Sequence, residues 1–308
     1  MRKTLCLLIA LHGGTALGAH KIEQTITGTR AGKAFSASHT WVVERGKFTM
    51  QVKSSLGSAL YLFNGRVFYV CSALNPSQIS YLKTYKITNA DLVKKFKNGA
   101  CQVVPANFLA RFFLSPVAAV ESIDQTDGLK VTVGVEDYDF KTAGKSGNCQ
   151  EASRSYTITK KTDQTAAKQT VAEKFCMSPS VDWRKNLWRE VAKTILRQPG
   201  GSKLMQVLRN DHRRVTGYFI RQSATISNKQ GDKTTDYTYT LSTKSEEKVK
   251  ISKKQFSIPK GYEVIHPDSI SGQITPATAK LPSQTKEDSG AAAILLCAIS
   301  GSFFCIGN

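Results

Sequence analysis

At 308 residues the chain is long enough for one large all-β domain or two ordinary ones with a real core, a bound that names no function. Its 43 Lys and Arg against 23 Asp and Glu give a formal charge of +20, an excess that attracts polyanions and anionic lipid surfaces. The lysines are dispersed among strand residues, as in KTTDYTYTLSTKSEEKVKISKK, which excludes a compact basic tail and reads as a solvated sheet face with guarded edges.

The N-terminus, MRKTLCLLIALHGGTALGA, places Arg2 and Lys3 before an apolar run from Leu5 to Leu11 and small residues at Ala16, Gly18 and Ala19. This is the layout of a secretory signal peptide over 1–19, with cleavage after Gly18 or Ala19 leaving His20 near the new N-terminus. Cys6 has no lipobox around it, so a lipid-anchored N-terminus is not expected.

From His20 to Ser72 the apolar residues recur with period two: Ile22 and Ile26; Phe35, Ala37, His39, Trp41 and Val43; Phe48, Met50 and Val52; Leu60 and Leu62; Val67 and Tyr69. Turn signals fall at Ala31-Gly32, Arg45-Gly46 and Asn64-Gly65, so the segment predicts an antiparallel meander with one apolar face and one wet one. The period then changes. Asn89 can cap a short helix through Lys97 that Gly99 ends, and Phe108, Leu109, Phe112 and Phe113 fall at helical spacing.

A second set of strands is expected over 129–140, 151–159 and 169–177. VDWRKNLWREVAKTIL, with Ser180 as cap, predicts a helix whose stripe is Trp183, Leu187, Trp188, Val191, Ile195 and Leu196, and another short helix is expected over 203–210. The last strands alternate through Tyr218, Ile220, Ala224 and Ile226, then Tyr237, Tyr239 and Leu241, with a third expected through Val249 and Ile251. Pro259 and Gly261 in QFSIPKGYEVI should end it.

Beyond the domain at 20–268, residues 269–290 form a polar Pro/Ser/Thr linker, and 291–308 form an apolar C-terminal segment. Its run from Ala291 to Ile306 is shorter than the roughly 20 residues a spanning helix needs. A short membrane anchor, a docking segment clipped by Cys297 and Cys305, and a processed tail all remain open.

Without Cys6, six cysteines are left in an exported chain. Pairing by neighbours, the simplest arrangement, joins Cys71 with Cys101, Cys149 with Cys176 and Cys297 with Cys305, each closing a local loop. There is no C-x-x-C, and the histidines are scattered, so no metal site is expected.

Two stretches carry a family resemblance. SHTWVVERGKFTMQV followed by ALYLFNGRVFYV, and the closing FSIPKGYEV, resemble the strand patterns of LolA-type periplasmic lipoprotein carriers and of related uncharacterised secreted LolA-like domains such as the DUF4412 type. The resemblance covers Lys21 to about His266 and implies an incomplete β-barrel, a curved antiparallel sheet whose concave apolar face is covered by helices and holds acyl chains. It also places the family's cavity arginine on Arg45, where it would hold a polar contact that keeps the carrier closed; an exposed turn residue before Gly46 is the alternative.

Lipid binding needs an apolar concavity with few titrating groups inside. The candidates to line it are Trp41, Phe48, Met50, Leu60, Leu62, Tyr69, Phe108, Phe112, Phe113, Trp183 and Trp188, with ordinary core packing as the competing role. No G-x-S-x-G, H-E-x-x-H or phosphate-binding glycine loop is present, so no enzyme and no cofactor is expected. Glu136, Asp137 and Asp139 form the densest acidic group and read as a turn or solvated strand rather than a calcium site.

The expectation is therefore a non-enzymatic, exported protein of the periplasm or bacterial cell envelope, with the apolar C-terminal segment as a candidate membrane attachment, binding lipid or lipoprotein acyl chains. The alternatives are a structural or scaffolding envelope protein without a ligand, and a basic-surface polyanion binder using Lys160, Lys161, Lys244, Lys248, Lys250, Lys253 and Lys254. Export argues against nucleic acid as a partner.

Overall fold

The computed structural model describes residues 18–30, 32–54, 57–76, 79, 90–104, 132–161, 166–181, 210–211, 213–252 and 254–266. Alternating β-branched and aromatic residues, punctuated by Gly and Asn, give a first meander: β1 (Ala19–Arg30), β2 (Lys33–Glu44), β3 (Lys47–Ser54), β4 (Gly57–Phe63) and β5 (Phe68–Ser72). At the β4–β5 turn the Asn64 side-chain oxygen accepts from the Arg66 and Val67 amides at 3.0 and 2.9 Å. Helix α1 (Ala90–Asn98) follows and stops at Gly99, whose φ of 102° a side chain would disfavour; a Cβ there would also sit 2.7 Å from the Tyr262 ring.

Strand β6 (Ala100–Val104) then pairs with β5, an element the sequence pattern did not announce because its run is short and lies beside the helix. A second meander, β7 (Thr132–Ser146), β8 (Cys149–Lys161), β9 (Ala166–Ser178), β10 (Tyr218–Gln230) and β11 (Lys233–Val249), is joined to the first by β1 pairing with β11. With β12 (Glu263–Ile265) the result is one open sheet of twelve strands in the order β12-β6-β5-β4-β3-β2-β1-β11-β10-β9-β8-β7.

Two expectations about the end of the domain are corrected. The strands expected through Tyr237 and through Val249 are a single strand of 17 residues, because β1 supplies a partner along its whole length from Ala19 opposite Val249 to Arg30 opposite Tyr237. A register shift at Glu23/Gln24 absorbs the irregularity that the polar STKSEEK stretch introduces. Nor does FSIPKGYEV simply end a strand: the chain passes beyond β11, Gln255 donates to Thr49 Oγ1 at 3.3 Å, and residues 263–265 add to the far edge beside β6 as the sheet's parallel pair. Glu263 N donates to Gly99 O at 3.2 Å and its carboxylate meets Lys95 at 2.5 Å, which fixes that landing.

Directly opposed residues share a face, so the register sorts the side chains. One face, here the tryptophan face, carries Ile22, Gln24, Ile26, Trp41, Phe48, Met50, Tyr61, Phe63, Phe68 and Val70, and continues through Leu241, Ala224, Phe175, Glu173 and Arg154. The other carries both cystines. Cys71 and Cys101 are directly opposed with Cα atoms 3.9 Å apart, and Cys149 and Cys176 are 5.5 Å apart across the β8–β9 hairpin, the first two pairings expected.

The sheet edges are guarded in different ways. Strand β12 is only three residues long, while β7 is broken by bulges at Glu136/Asp139 and Thr142/Gly144, where Asp137 and Gly144 take positive φ. The acidic group Glu136, Asp137 and Asp139 is thus an exposed, bulged edge, with Glu136 accepting from Thr159 and Asp139 paired with Lys141. Helices covering a concave face are not seen among the described residues; α1 contacts β6 near one edge, and the expected helices at 106–113, 181–196 and 203–210 fall almost wholly outside the described residues.

Candidate functional site

Across β1–β6 the tryptophan face is a wall of apolar side chains. Phe48 lies 5.4 Å from Trp41, 5.6 Å from Phe63 and 6.0 Å from Phe68, ring centre to ring centre, and Phe48 and Phe63 are fully buried. At its far side, on β6, the buried Gln102 side-chain oxygen has no hydrogen-bond partner among the described residues. At its near side Gln24 ties the two meanders together: it accepts from Trp41 Nε1 at 2.9 Å and donates to Phe219 O at 2.8 Å and to Thr243 Oγ1 at 3.1 Å. The Phe219 carbonyl is available because β10 shifts register between Phe219 and Arg221.

Next to Gln24 in the register stands His39, partly buried between β1 and β3. Loss of hydration holds its imidazole near about 4, so it is neutral at physiological pH.

Across β7–β11 the same face carries charge. Arg154 on β8 and Glu173 on β9 are directly opposed, both buried, and joined by a hydrogen-bonded ion pair through Arg154 Nε. Gln222 Nε2 and the Tyr239 hydroxyl donate to the second Glu173 oxygen at 3.4 and 3.3 Å, and the guanidinium lies 5.5 Å from the Phe175 ring centre. Burial works against the Arg154 charge, but the attraction of Glu173 outweighs it and holds the guanidinium firmly protonated. Burial, with Glu173 beside it, likewise pushes the Tyr239 hydroxyl well above its ordinary range.

The remaining member of this cluster comes from outside the sheet. Asp211, in a helical turn just before β10, accepts a hydrogen bond from Tyr138 of β7 and lies 3.6 Å from Arg154 Nη1. Burial raises its carboxyl above the usual value despite Tyr138 and Arg154. The turn is held by Val215 N donating to Asp211 O at 2.9 Å, by Arg214 over the Phe140 ring at 4.5 Å, and by Val215 packing with Ala152, Phe175 and Met177. It leads into Gly217, where a Cβ would meet the Ser178 carbonyl at 1.8 Å, so only glycine lets the chain turn into β10.

A third polar group closes the rim near β1: Glu246 accepts from Tyr218 at 2.5 Å, Ser180 at 3.0 Å and His20 at 2.9 Å. Burial alone would raise the Glu246 carboxyl; these hydrogen bonds outweigh it and hold it below the usual value.

The sequence-derived candidates divide. Trp41, Phe48 and Met50 meet on the tryptophan face, whereas Leu60, Leu62 and Tyr69 point to the cystine face, where Leu62 is opposed to Thr49 beneath the closing segment. Period two could not settle which of the two alternating sets in ALYLF faces inward, since both are apolar. Arg45 sits in the exposed two-residue β2–β3 turn at φ 48°, on no strand face. Phe108, Phe112, Phe113, Trp183, Trp188, Cys297 and Cys305 lie outside the described residues, as do residues 1–17, the linker and the C-terminal segment.

The candidate basic patch does not assemble: Lys160 and Lys161 lie at the end of the sheet by the β10–β11 turn, and Lys244, Lys248 and Lys250 at the opposite end of β11. A shallow depression of about 320 Å³ on β1–β3 is lined by Thr25, Ile26, Thr27, Ser36, Ala37, Ser38, Lys53 and Ser54.

Sequence reasoning missed Arg154, Glu173 and Asp211. The signal available was a charged residue in phase with the buried positions of its strand, Arg154 between Ala152 and Tyr156 and Glu173 between Val171 and Phe175. Among the described residues no group of three or more His, Cys, Asp or Glu is placed to hold a metal ion, and no helix is long and apolar enough to cross a membrane.

The molecule is therefore an open, mainly antiparallel β-sheet protein with one face divided between an apolar wall and a buried ionic cluster. No protein-family model matches the chain, and no curated protein matches it. Among solved structures it is similar to the crystal structure of a DUF1329 family protein from Desulfovibrio piger, at 8% identity and a TM-score of 0.29, over 79% of this chain and 91% of that one.

Proposed function

We propose that the chain is an exported, non-enzymatic binding protein of the bacterial cell envelope that holds a lipid or lipidated partner on its tryptophan face. The observation that carries this reading is the make-up of that face: an apolar, aromatic wall across β2–β5, with Gln102 at one margin, the Gln24 and Arg154 clusters at the other, and the neutral imidazole of His39 beside Gln24. A surface that is apolar in the middle and polar at its ends suits an amphiphile. The two cystines support maturation in an oxidising compartment, in keeping with the signal-peptide pattern of residues 1–19. Protein purified from its own envelope is expected to carry lipid in native mass spectrometry; consistently lipid-free protein overturns the reading.

One observation favours a second reading. Phe48 and Phe63 are at 0% exposure and Phe68 at 2%, the burial of an ordinary filled core, and a structural or scaffolding envelope protein would have that. The same measurement separates the two.

A further inference from the structure

We propose that Arg154 and Tyr138 form a receptor for the carboxylate head group of a single-chain amphiphile, and that Asp211 fills this receptor as an internal stand-in. The inference rests on the apolar-ligand reading above and assigns the ligand's polar end.

Three features of the cluster support it. The first is the difference between the two carboxylates that meet Arg154. Glu173 belongs to the sheet: it opposes Arg154 in the register, is buried, bonds Nε, and is held by Gln222 and Tyr239. Asp211 belongs to the turn before β10 and stands 3.6 Å from Nη1, beyond hydrogen-bond distance. The guanidinium thus has one partner built into the strands and a second, looser one delivered by a separate segment.

The second feature is charge balance. Arg154 and Glu173 neutralise each other, and Tyr138, Tyr156 and Tyr239 add hydroxyls but no charge at neutral pH. Arg214, over the Phe140 ring at the rim, adds a second positive charge that acts on whichever carboxylate occupies the Asp211 place. Replacing the Asp211 carboxylate by a ligand carboxylate leaves the buried charge unchanged: one anion leaves the guanidinium and the Tyr138 hydroxyl, and another takes the same two donors. Asp211 and a ligand carboxylate therefore compete for the same two donors. Guanidinium with a hydroxyl donor beside it is a carboxylate-binding chemistry in its own right.

The third is placement. From Arg154 the face runs past Ala224, Leu241 and Ile26 to Trp41 and Met50, all buried. From β8 to β2 is five strand spacings, about 24 Å at roughly 4.8 Å each, the scale of a long acyl chain lying across the strands; the register aligns Phe35 with Arg154, and Trp41 stands six residues further along β2. A head group at Arg154 would lay its tail toward the aromatic wall.

The test uses the full chain with oleate and oleyl alcohol, which differ only in the head group, and reads binding by calorimetry. The expected result is that wild type binds oleate at least about tenfold tighter than oleyl alcohol, the discrimination of one charge-assisted contact. Asp211→Ala should tighten oleate binding severalfold and leave oleyl alcohol unchanged. Arg154→Gln with Glu173→Gln removes both sheet charges together, so that neither is stranded, and should erase the discrimination in protein whose circular dichroism matches wild type; Tyr138→Phe, a milder change, should reduce it if the double variant does not fold. Equal affinities for the two ligands in wild type, or an Asp211→Ala variant with unchanged or weaker oleate binding, overturn the head-group assignment while leaving the apolar site standing. Failure of both ligands to bind removes the apolar site and the assignment together.

Discussion

The two meanders, β1–β6 and β7–β11, are built from the same alternation and share one continuous face, yet they fill it by different physics. In the first, inward positions hold Ile22, Trp41, Phe48, Met50, Phe63 and Phe68, and stability comes from apolar area removed from water, a contribution that needs no particular partner and does not depend on pH. In the second, the same positions hold Arg154, Glu173, Gln222 and Tyr239, which are tolerable inside only because each bonds another. A half-sheet of the first kind gives way gradually under substitution. One of the second kind is sensitive to the loss of any single member and tolerant of the loss of a matched pair.

The sharpest way to break this comparison is to truncate one residue in each half. Phe48→Ala and Arg154→Ala should each cost about 3–5 kcal/mol in urea unfolding, the first through a cavity and the second through a stranded Glu173. They should part company on rescue: Arg154→Met with Glu173→Leu should recover most of the loss, and if the pair stays as unstable as the single variant, the ionic half is not what its geometry says. Removing a cystine comes next. Cys71→Ala with Cys101→Ala should cost about 2–4 kcal/mol, because a loop with a sequence separation of 30 is released in the unfolded chain.

His39 is the titrating exception that the apolar half shows beside Gln24, and it sharpens the contrast. Its folded-state pKa, about 4, lies below its ordinary 6.5, so the unfolded chain takes up the proton first. The stability it contributes is complete above about 6.5 and is lost as pH falls toward about 4, by up to about 3 kcal/mol; in His39→Gln that part of the pH profile should flatten. The smallest effect is expected at the seam: Trp41→Phe removes the indole donor to Gln24 and should cost about 1 kcal/mol, with a thermal-unfolding shift of a few degrees or less.

Much of the first meander was legible because pairs favoured in turns, Ala31-Gly32, Arg45-Gly46 and Asn64-Gly65, follow β1, β2 and β4. Helix α1 was legible for the same reason, through Gly99. The cystines at 71–101 and 149–176 followed from proximity in sequence. Illegible were the face chosen by Leu60, Leu62 and Tyr69, the length of β11, and the charged cluster. A strand's alternation fixes which residues travel together but not which set turns inward. Arg45 illustrates the other limit, since the sequence offered it both a cavity role and a turn position before Gly46, and the chain places it in the exposed two-residue turn.

By itself, then, the amino-acid order determined what lies within hairpin range: strand phase, turns and one helix, because those depend on backbone sterics and spacing of a few residues. Only the tertiary structure decided that β1 and β11, more than two hundred residues apart, would pair at the centre of the sheet, that Glu263–Ile265 would close the far edge, and that Asp211 would meet Arg154. Those contacts depend on long loops whose closure entropy carries no local signature, so the apolar wall and the ionic cluster become one face only when the sheet is assembled.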